Sequence, residues 1–257
     1  MNLLQIMINK IIHGDCLEEM GNIPDKSVDM VLCDLPYGTI QAKWDSILPF
    51  ELLWAQYERV VKEGGAIVLF GSQPFTTRLI NSNLKNFKYE IIWEKSRPNG
   101  FLNANKMPMK KHENICVFSY GRCRYFPQGL IKKDKQNRNT GVENCYGKVN
   151  KNWKQDITYT NYPVSILRFN NPTKPKHPTQ KQLDLCEYLI KTYSLEGEIV
   201  LDNTAGSFST SVASDNCRRN WICIEKELEY CLLGLNRVNE NRSCLGLDLV
   251  PLINTNE

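Results

Sequence analysis

The sequence predicts an α/β fold with a doubly wound, mostly parallel sheet, and three observations carry that prediction. Six β-rich runs recur along the chain and are continuously apolar rather than alternating, as strands buried on both faces are. Segments with apolar residues at helical spacing fall between them. The last two runs bracket a small-residue turn and a helix start, the strand–turn–helix–strand order of a ligand-binding crossover.

The first run, VDMVLCD at 28–34, stops abruptly at Asp34-Leu35-Pro36-Tyr37. FELLWAQYERVVKEGG at 50–65 has helical spacing and ends on glycines, a C-terminal stop. GGAIVLFG at 64–71, YEIIWEK at 89–95 and ENICVFSY at 113–120 read as strands. Residues 121–162 break the pattern, being polar, basic and rich in Asn and aromatics without clear periodicity. So long an irregular stretch inside a domain is usually functional or disordered. TQKQLDLCEYLIKTYS at 179–194 is helical, with Thr179 as N-cap after Pro178. EIVLDNT at 198–204 is the next strand, a helix starts near Ser209 or Thr210, and RNWICIEKE at 219–227 is the last.

The 257 residues are 42% hydrophobic and 23% charged, which suits one domain with an inserted region. No apolar run approaches the roughly 20 residues that cross a bilayer. The start, MNLLQIMINKIIHGD, lacks a basic n-region and a small-residue cleavage site, so a signal peptide is not expected. Ten cysteines are scattered, several inside strand-like runs. They read as reduced, mostly buried thiols of a cytoplasmic protein with no metal.

Charge is uneven. Residues 121–160 hold nine Lys/Arg against Asp134, Glu143 and Asp156, a net of +6, so the rest carries −2 of the +4 total. A localised basic segment suits either a polyanion contact or a solvated loop.

Two constellations carry chemistry. In the second, a strand ends in Asp202, the turn NTAGSFST follows, and the next strand ends in Glu225, 23 residues on. That is close to the ~20 residues between a glycine turn and an acid that holds a ribose. Gly206 lets a ligand approach the backbone. The turn is not GxGxxG, and Asp202 repels a pyrophosphate, so an adenosine ligand with a cationic group suits it better than a dinucleotide. In the first, Asp-x-Pro-Tyr after a strand is by itself most often only a turn. Asp15 reads as the N-cap of a helix over CLEEM. Trp44, Trp54 and Trp93 are expected in the core.

Together these residues resemble the amino-group DNA methyltransferases that use S-adenosylmethionine. DLPY matches their [D/N/S]-P-P-[Y/F/W] motif, and its position ahead of the glycine loop resembles the β-class. HGDCLEEM, GFLNANKMPMKKHENICVF, KHPTQKQLDLCEYLIKTYS and VLDNTAGSFST resemble further family segments in order, from His13 to Glu227. The resemblance implies a seven-stranded, Rossmann-like sheet. It implies a catalytic part over 1–120, a target-recognition insertion over 121–162 and a cofactor part over 163–257. It implies Asp34, Leu35, Pro36 and Tyr37 at the catalytic centre. It gives cofactor contacts to Asp15, Asp34, His177, Thr179, Lys181, Asp202, Thr204, Gly206, Ser207, Phe208, Ser209 and Glu225. Thr179 and Lys181 are expected at the cofactor carboxylate, while His177 reads otherwise as a loop residue.

Two departures stand out. Leu35 replaces the usual proline, but its role is a backbone carbonyl. Phe208 replaces a glycine, and phenylalanine is strained there if the position needs φ > 0. The implied activity is methylation of adenine N6 in duplex DNA on a flipped-out base. Cytosine N4 is the alternative, as is a weakly active or inactive cofactor-binding DNA-binding protein. The resemblance leans toward a homodimer and leaves room for a cognate restriction nuclease.

Overall fold

The computed structural model describes residues 3–39, 41, 45–139, 155–172 and 180–254. The chain divides into a larger unit, Met1–Phe126 with Ser165–Glu257, and a smaller one, Pro127–Val164.

The larger unit opens with α1 (Leu3–Met7), β1 (Lys10–His13) and α2 (Cys16–Met20). Then come β2 (Val28–Cys33), α3 (Phe50–Val60), β3 (Val61–Gly71), α4 (Phe75–Ser82), β4 (Phe87–Asn99) and β5 (Lys110–Phe118). In the smaller unit, β6 (Ile131–Asn139) pairs antiparallel with β7 (Gln155–Thr160). The larger unit resumes with β8 (Ile166–Phe169), α5 (Leu183–Tyr193), β9 (Ile199–Asp202), α6 (Ser209–Asn216), β10 (Asn220–Glu225), α7 (Leu228–Leu245) and β11 (Leu252–Asn254).

Nine strands form one sheet in the order β11-β1-β10-β9-β2-β3-β5-β4-β8. Every neighbouring pair is parallel except the two made by β5, which runs antiparallel to β3 and β4. Short edge strands β8 and β11 extend the expected seven to nine.

Both faces of the sheet are covered, which is why its strands read as unbroken apolar runs. Successive residues of β2 alternate between two cores: Val31 and Cys33 pack with α3 and α4, Met30 and Leu32 with α5. Ile11, Trp221 and Cys223 form a third cluster with α6 and α7. Trp54 and Trp93 are buried as expected, and Trp44 lies outside the described residues.

Several boundaries differ from the sequence reading. Helix α3 ends at Val60, and β3 begins at once at Val61, ahead of the glycines; its pairing with β2 shifts register between Val28 and Met30. Pairing with a central strand overrides the glycine stop signal. The N-cap of α5 is Gln182, not Thr179, which lies outside the described residues. The segment read as irregular contains the β6–β7 pair, and residues 140–154 lie outside the described residues. Residues 121–126 belong to the larger unit, where Arg124 forks onto Glu198 at 2.7 and 2.9 Å.

Candidate active site

Parallel pairing brings the carboxyl ends of β1, β10, β9 and β2 to one edge of the sheet. At the centre β2 lies beside β9, with Met30 opposite Val200 and Val31 opposite Leu201. Here the chain order reverses, since β2 leads to β3 on one side and β9 to β10 on the other. A crevice opens at such a switch point. Two cavities occupy it. The first, about 280 Å³, is lined among others by Asp15, Asp34, Leu35, Pro36, Tyr37, Lys181, Asn203, Gly206 and Glu225. The second, about 480 Å³, is lined by Trp93, Lys95, Arg97, Glu113, Asn171 and their neighbours. Asp34, Tyr37 and Lys181 belong to both walls.

The turn after β2 is held from two sides. Thr204 Oγ1 donates to the Asp34 carbonyl at 3.1 Å, tying the tip of β2 to the loop after β9. The Asp45 carboxylate accepts the backbone N–H groups of Tyr37 (2.7 Å), Gly38 (3.0 Å) and Thr39 (2.6 Å). Nothing in the sequence singled out Asp45, because its ligands are main-chain groups. The Leu35 side chain is buried in the core. The Tyr37 ring stacks on Phe75, with centroids 4.8 Å apart.

Asp34 is fully engaged. Its Oδ1 accepts the Tyr37 hydroxyl at 2.6 Å, and its Oδ2 lies 2.6 Å from Lys181 Nζ. Lys181 also stands 3.1 Å from Glu113 Oε2, an ion contact outside hydrogen-bond geometry, and Glu113 Oε1 pairs with Lys95. Four charges thus alternate along the wall between the cavities. Burial raises the Asp34 carboxyl above its ordinary range, and Lys181 opposes that. Burial alone would also raise Glu113, but Lys181 and Lys95 hold it at about 2. For Lys181 the two carboxylates outweigh burial and push the ammonium above its usual value. Lys181, expected at the cofactor carboxylate, lines the first cavity, and among the described residues its ion partners are Asp34 and Glu113. Glu113 and Lys95 escaped the sequence reading, although an acid entering an apolar strand among lysines was a usable signal.

In the first cavity, Glu225 Oε2 accepts the Gly206 N–H at 2.8 Å and Oε1 accepts the Glu227 N–H at 2.9 Å. The carboxylate is thereby aimed by backbone, with lone pairs left for a ligand. Asp15 serves as a cap and also faces the cavity. It N-caps α2 through Leu17 N at 3.0 Å, and it lines the cavity while pairing with Lys226 at 3.2 Å. Thr204, Ser207 and Ser209 are on the wall. Asn203 accepts the Tyr57 hydroxyl at 2.6 Å, while its Nδ2 is buried without a hydrogen-bond partner.

Two expected cofactor residues are not on the wall. Asp202 is buried beneath it, where burial raises its carboxyl to about 7 and Thr204 N caps it at 3.3 Å. Phe208 does adopt φ 58°, the strained left-handed region, but its ring turns away into the core formed with Trp221 and Val238. His177 and Thr179 lie outside the described residues. Among the described residues no group of His, Cys, Asp and Glu could hold a metal, and no helix is long and apolar enough to cross a membrane.

Comparison with known proteins agrees with this architecture. A family described as DNA methylase, covering N6 and N4 methyltransferases, matches residues 28–236. The DNA adenine methyltransferase YhdJ of Escherichia coli (strain K12) is 30% identical, aligning 89% of this chain with 82% of its own. The type II methyltransferase M2.MboI of Moraxella bovis is 28% identical over 90% of this chain and 87% of its own. The crystal structure of an M1.HpyAVI–SAM complex superposes with a TM-score of 0.62 at 25% identity, covering 90% of this chain and 98% of that one. The chain belongs to the DNA methylase family of N6/N4 methyltransferases.

Proposed function

We propose that this chain methylates the N6 amine of adenine in duplex DNA, using S-adenosylmethionine in the first cavity and a base turned out of the stack in the second. The observation that carries the reading is that Asp34, Tyr37 and Lys181 line both cavities.

The first cavity suits the cofactor on its own chemistry. Asp15, Asp34, Glu225 and Glu227 on its wall favour a cationic ligand. Glu225 can accept from ribose hydroxyls, the Asn203 Nδ2 is a buried donor awaiting an acceptor, and Gly206 allows close approach. When bound, the cofactor supplies a methyl group activated on a cationic sulfur.

The chain's own residues then do the rest. An adenine amine is a poor nucleophile because its lone pair is delocalised into the ring. The Asp34 carboxylate and the Leu35 carbonyl each accept one of its N–H bonds, which directs the lone pair out of the ring plane. Transfer is direct, and positioning and electrostatics carry the acceleration. Pro36 fixes the turn, and Tyr37 offers the ring face not covered by Phe75 to the base; such stacking contributes roughly 1–3 kcal/mol. Asp34 must first loosen its hold on Tyr37 or Lys181, and Glu113 stands ready to keep Lys181.

Lys and Arg of 121–162 contact phosphates, and its Asn, Gln and Arg read base edges. Leu35 and Phe208 give no support to an inactive protein, since one acts through its backbone and the other lies off the wall. The reading suits a cytoplasmic enzyme, leans toward a homodimer and leaves room for a cognate nuclease; light scattering in solution tests the dimer.

The test is methyl transfer from labelled S-adenosylmethionine to DNA of diverse sequence, with mass spectrometry of the product nucleosides. N6-methyladenine is expected, and Asp34→Ala should abolish it while the protein stays folded, read by circular dichroism. Label on cytosine alone would move the reading to N4, and no label on any DNA would overturn it.

A further inference from the structure

The β4–β5 connection presents large apolar side chains to solvent with nothing of their own unit over them. Gly100, at φ 90°, turns the chain into a 3-10 turn over Phe101–Asn103. Phe101 is 79% exposed, Leu102 97% and Met107 58%. Isolated exposed leucines are ordinary, but three large apolar groups on one short connection, two of them adjacent at its turn, are not. From Lys95 to Lys111 the segment carries five cations (Lys95, Arg97, Lys106, Lys110 and Lys111) and no acid. Arg97 and Lys106 have no acidic partner among the described residues. The apolar tip also continues directly from the second cavity, because Arg97, Pro98 and Asn99 line that cavity and Phe101 follows two residues later.

A partner must therefore be anionic where it meets the flanks and apolar where it meets the tip, and it must reach the cavity that holds Asp34. Duplex DNA has that layout, with phosphates outside and stacked bases within. We propose that the Phe101–Leu102 tip is a wedge that enters the base stack and fills the gap left by the extruded nucleotide, while Arg97 and Lys106 contact flanking phosphates. The inference rests on the reading that a base occupies the second cavity. It assigns the opening of the stack to this hairpin, separately from target recognition over 121–162. Apolar side chains inserted at a base step partially unstack it, and such a side chain raises the population of the extruded state when it replaces the lost stacking contacts.

The experiment uses the full chain and a duplex bearing its methylation site, mapped from the DNA of cells expressing it. Phe101→Ala/Leu102→Ala should lower the single-turnover methylation rate on the matched duplex at least tenfold. An abasic nucleotide opposite the target removes the pairing that the wedge helps to break, so the variant should come within about twofold of wild type there. Cofactor binding should not change, and Phe101→Trp should keep most of the activity. Arg97→Gln and Lys106→Gln should each flatten the salt dependence of DNA binding by about one unit of slope. An equal loss on both duplexes, or no loss on the matched one, overturns the wedge. So does salt-independent self-association of wild type that the double variant abolishes with methylation intact, which would assign the tip to a second copy. Wild type that never methylates duplex DNA overturns the reading of the cavity itself, and the wedge with it.

Discussion

At Asp34 one carboxylate oxygen holds the Lys181 ammonium and the other the Tyr37 hydroxyl, each at 2.6 Å, so an incoming amine competes with both. The outcome depends on how readily Lys181 can lean on its second anion. Glu113→Gln keeps the shape of that site and removes its charge, leaving Lys181 to Asp34 alone. The expected result is a single-turnover rate about tenfold lower, the equivalent of one pKa unit of tighter Lys181–Asp34 pairing, with cofactor affinity within about twofold. A purely structural Glu113 would instead lower the amount of folded enzyme and leave the rate per folded molecule unchanged. Circular dichroism beside the rate measurement separates the two. Asp34, Leu35, Pro36 and Tyr37 were legible in the sequence because they are contiguous. Glu113 and Asp45 were not, because their partners are distant side chains or main-chain N–H groups that only folding brings near.

Within the elements, the unusual pair is Phe208 at the start of α6 and Gly234 inside α7. Phe208 takes a left-handed conformation that costs a non-glycine residue of the order of 1 kcal/mol or more. Its fully buried ring more than offsets that cost. The ring fits only because the facing position is glycine: a Cβ on Gly234 would fall 2.0 Å from Phe208 Cδ2. A glycine in a helix interior is itself unfavourable by about 1 kcal/mol, so the two exceptions explain each other. Gly234→Ala should therefore destabilise the protein by about 1–3 kcal/mol, read as a lower urea midpoint. Adding Phe208→Leu should recover part of the loss, and strictly additive effects would rule the coupling out. The strain at Phe208 was foreseeable from its place in the glycine loop. Its remedy was not, because Gly234 carries no local signal for what stands opposite.

On the scale of the whole molecule, Asp202 joins stability to pH. Its folded-state carboxyl is raised by burial to about 7, against 3.8 ordinarily, so the folded state holds a proton that the unfolded chain releases. The molecule carries no penalty from this group below about 4, and it loses stability as pH rises toward 7, by up to about 4 kcal/mol. Asp202→Asn should flatten that slope in urea unfolding at pH 5 and pH 8. An unchanged slope would mean that Asp202 stays ionised in the fold. Glu113 works in the opposite sense, since its contribution is present above about 4.5 and fades as pH falls toward 2. Asp34 and Glu225 are also raised by burial, so it is the difference between wild type and Asp202→Asn that reports on Asp202.

The sequence by itself determined the sheet's central strands, the α/β class, the family and the turn proposed as the catalytic centre. Each of these is written in contiguous residues: buried strands in unbroken apolar runs, and the turn in Asp-Leu-Pro-Tyr. Only the tertiary structure decided that Asp34 is shared between two cavities, that Lys181 bridges it to Glu113, and that Phe208 lies in the core and not on the first cavity's wall. It also placed the exposed Phe101 and Leu102 beside the second cavity. The physical reason is range. Periodicity, turn chemistry and propensity act over a few residues, whereas burial and ion pairing act between residues that only the sheet's strand order makes neighbours.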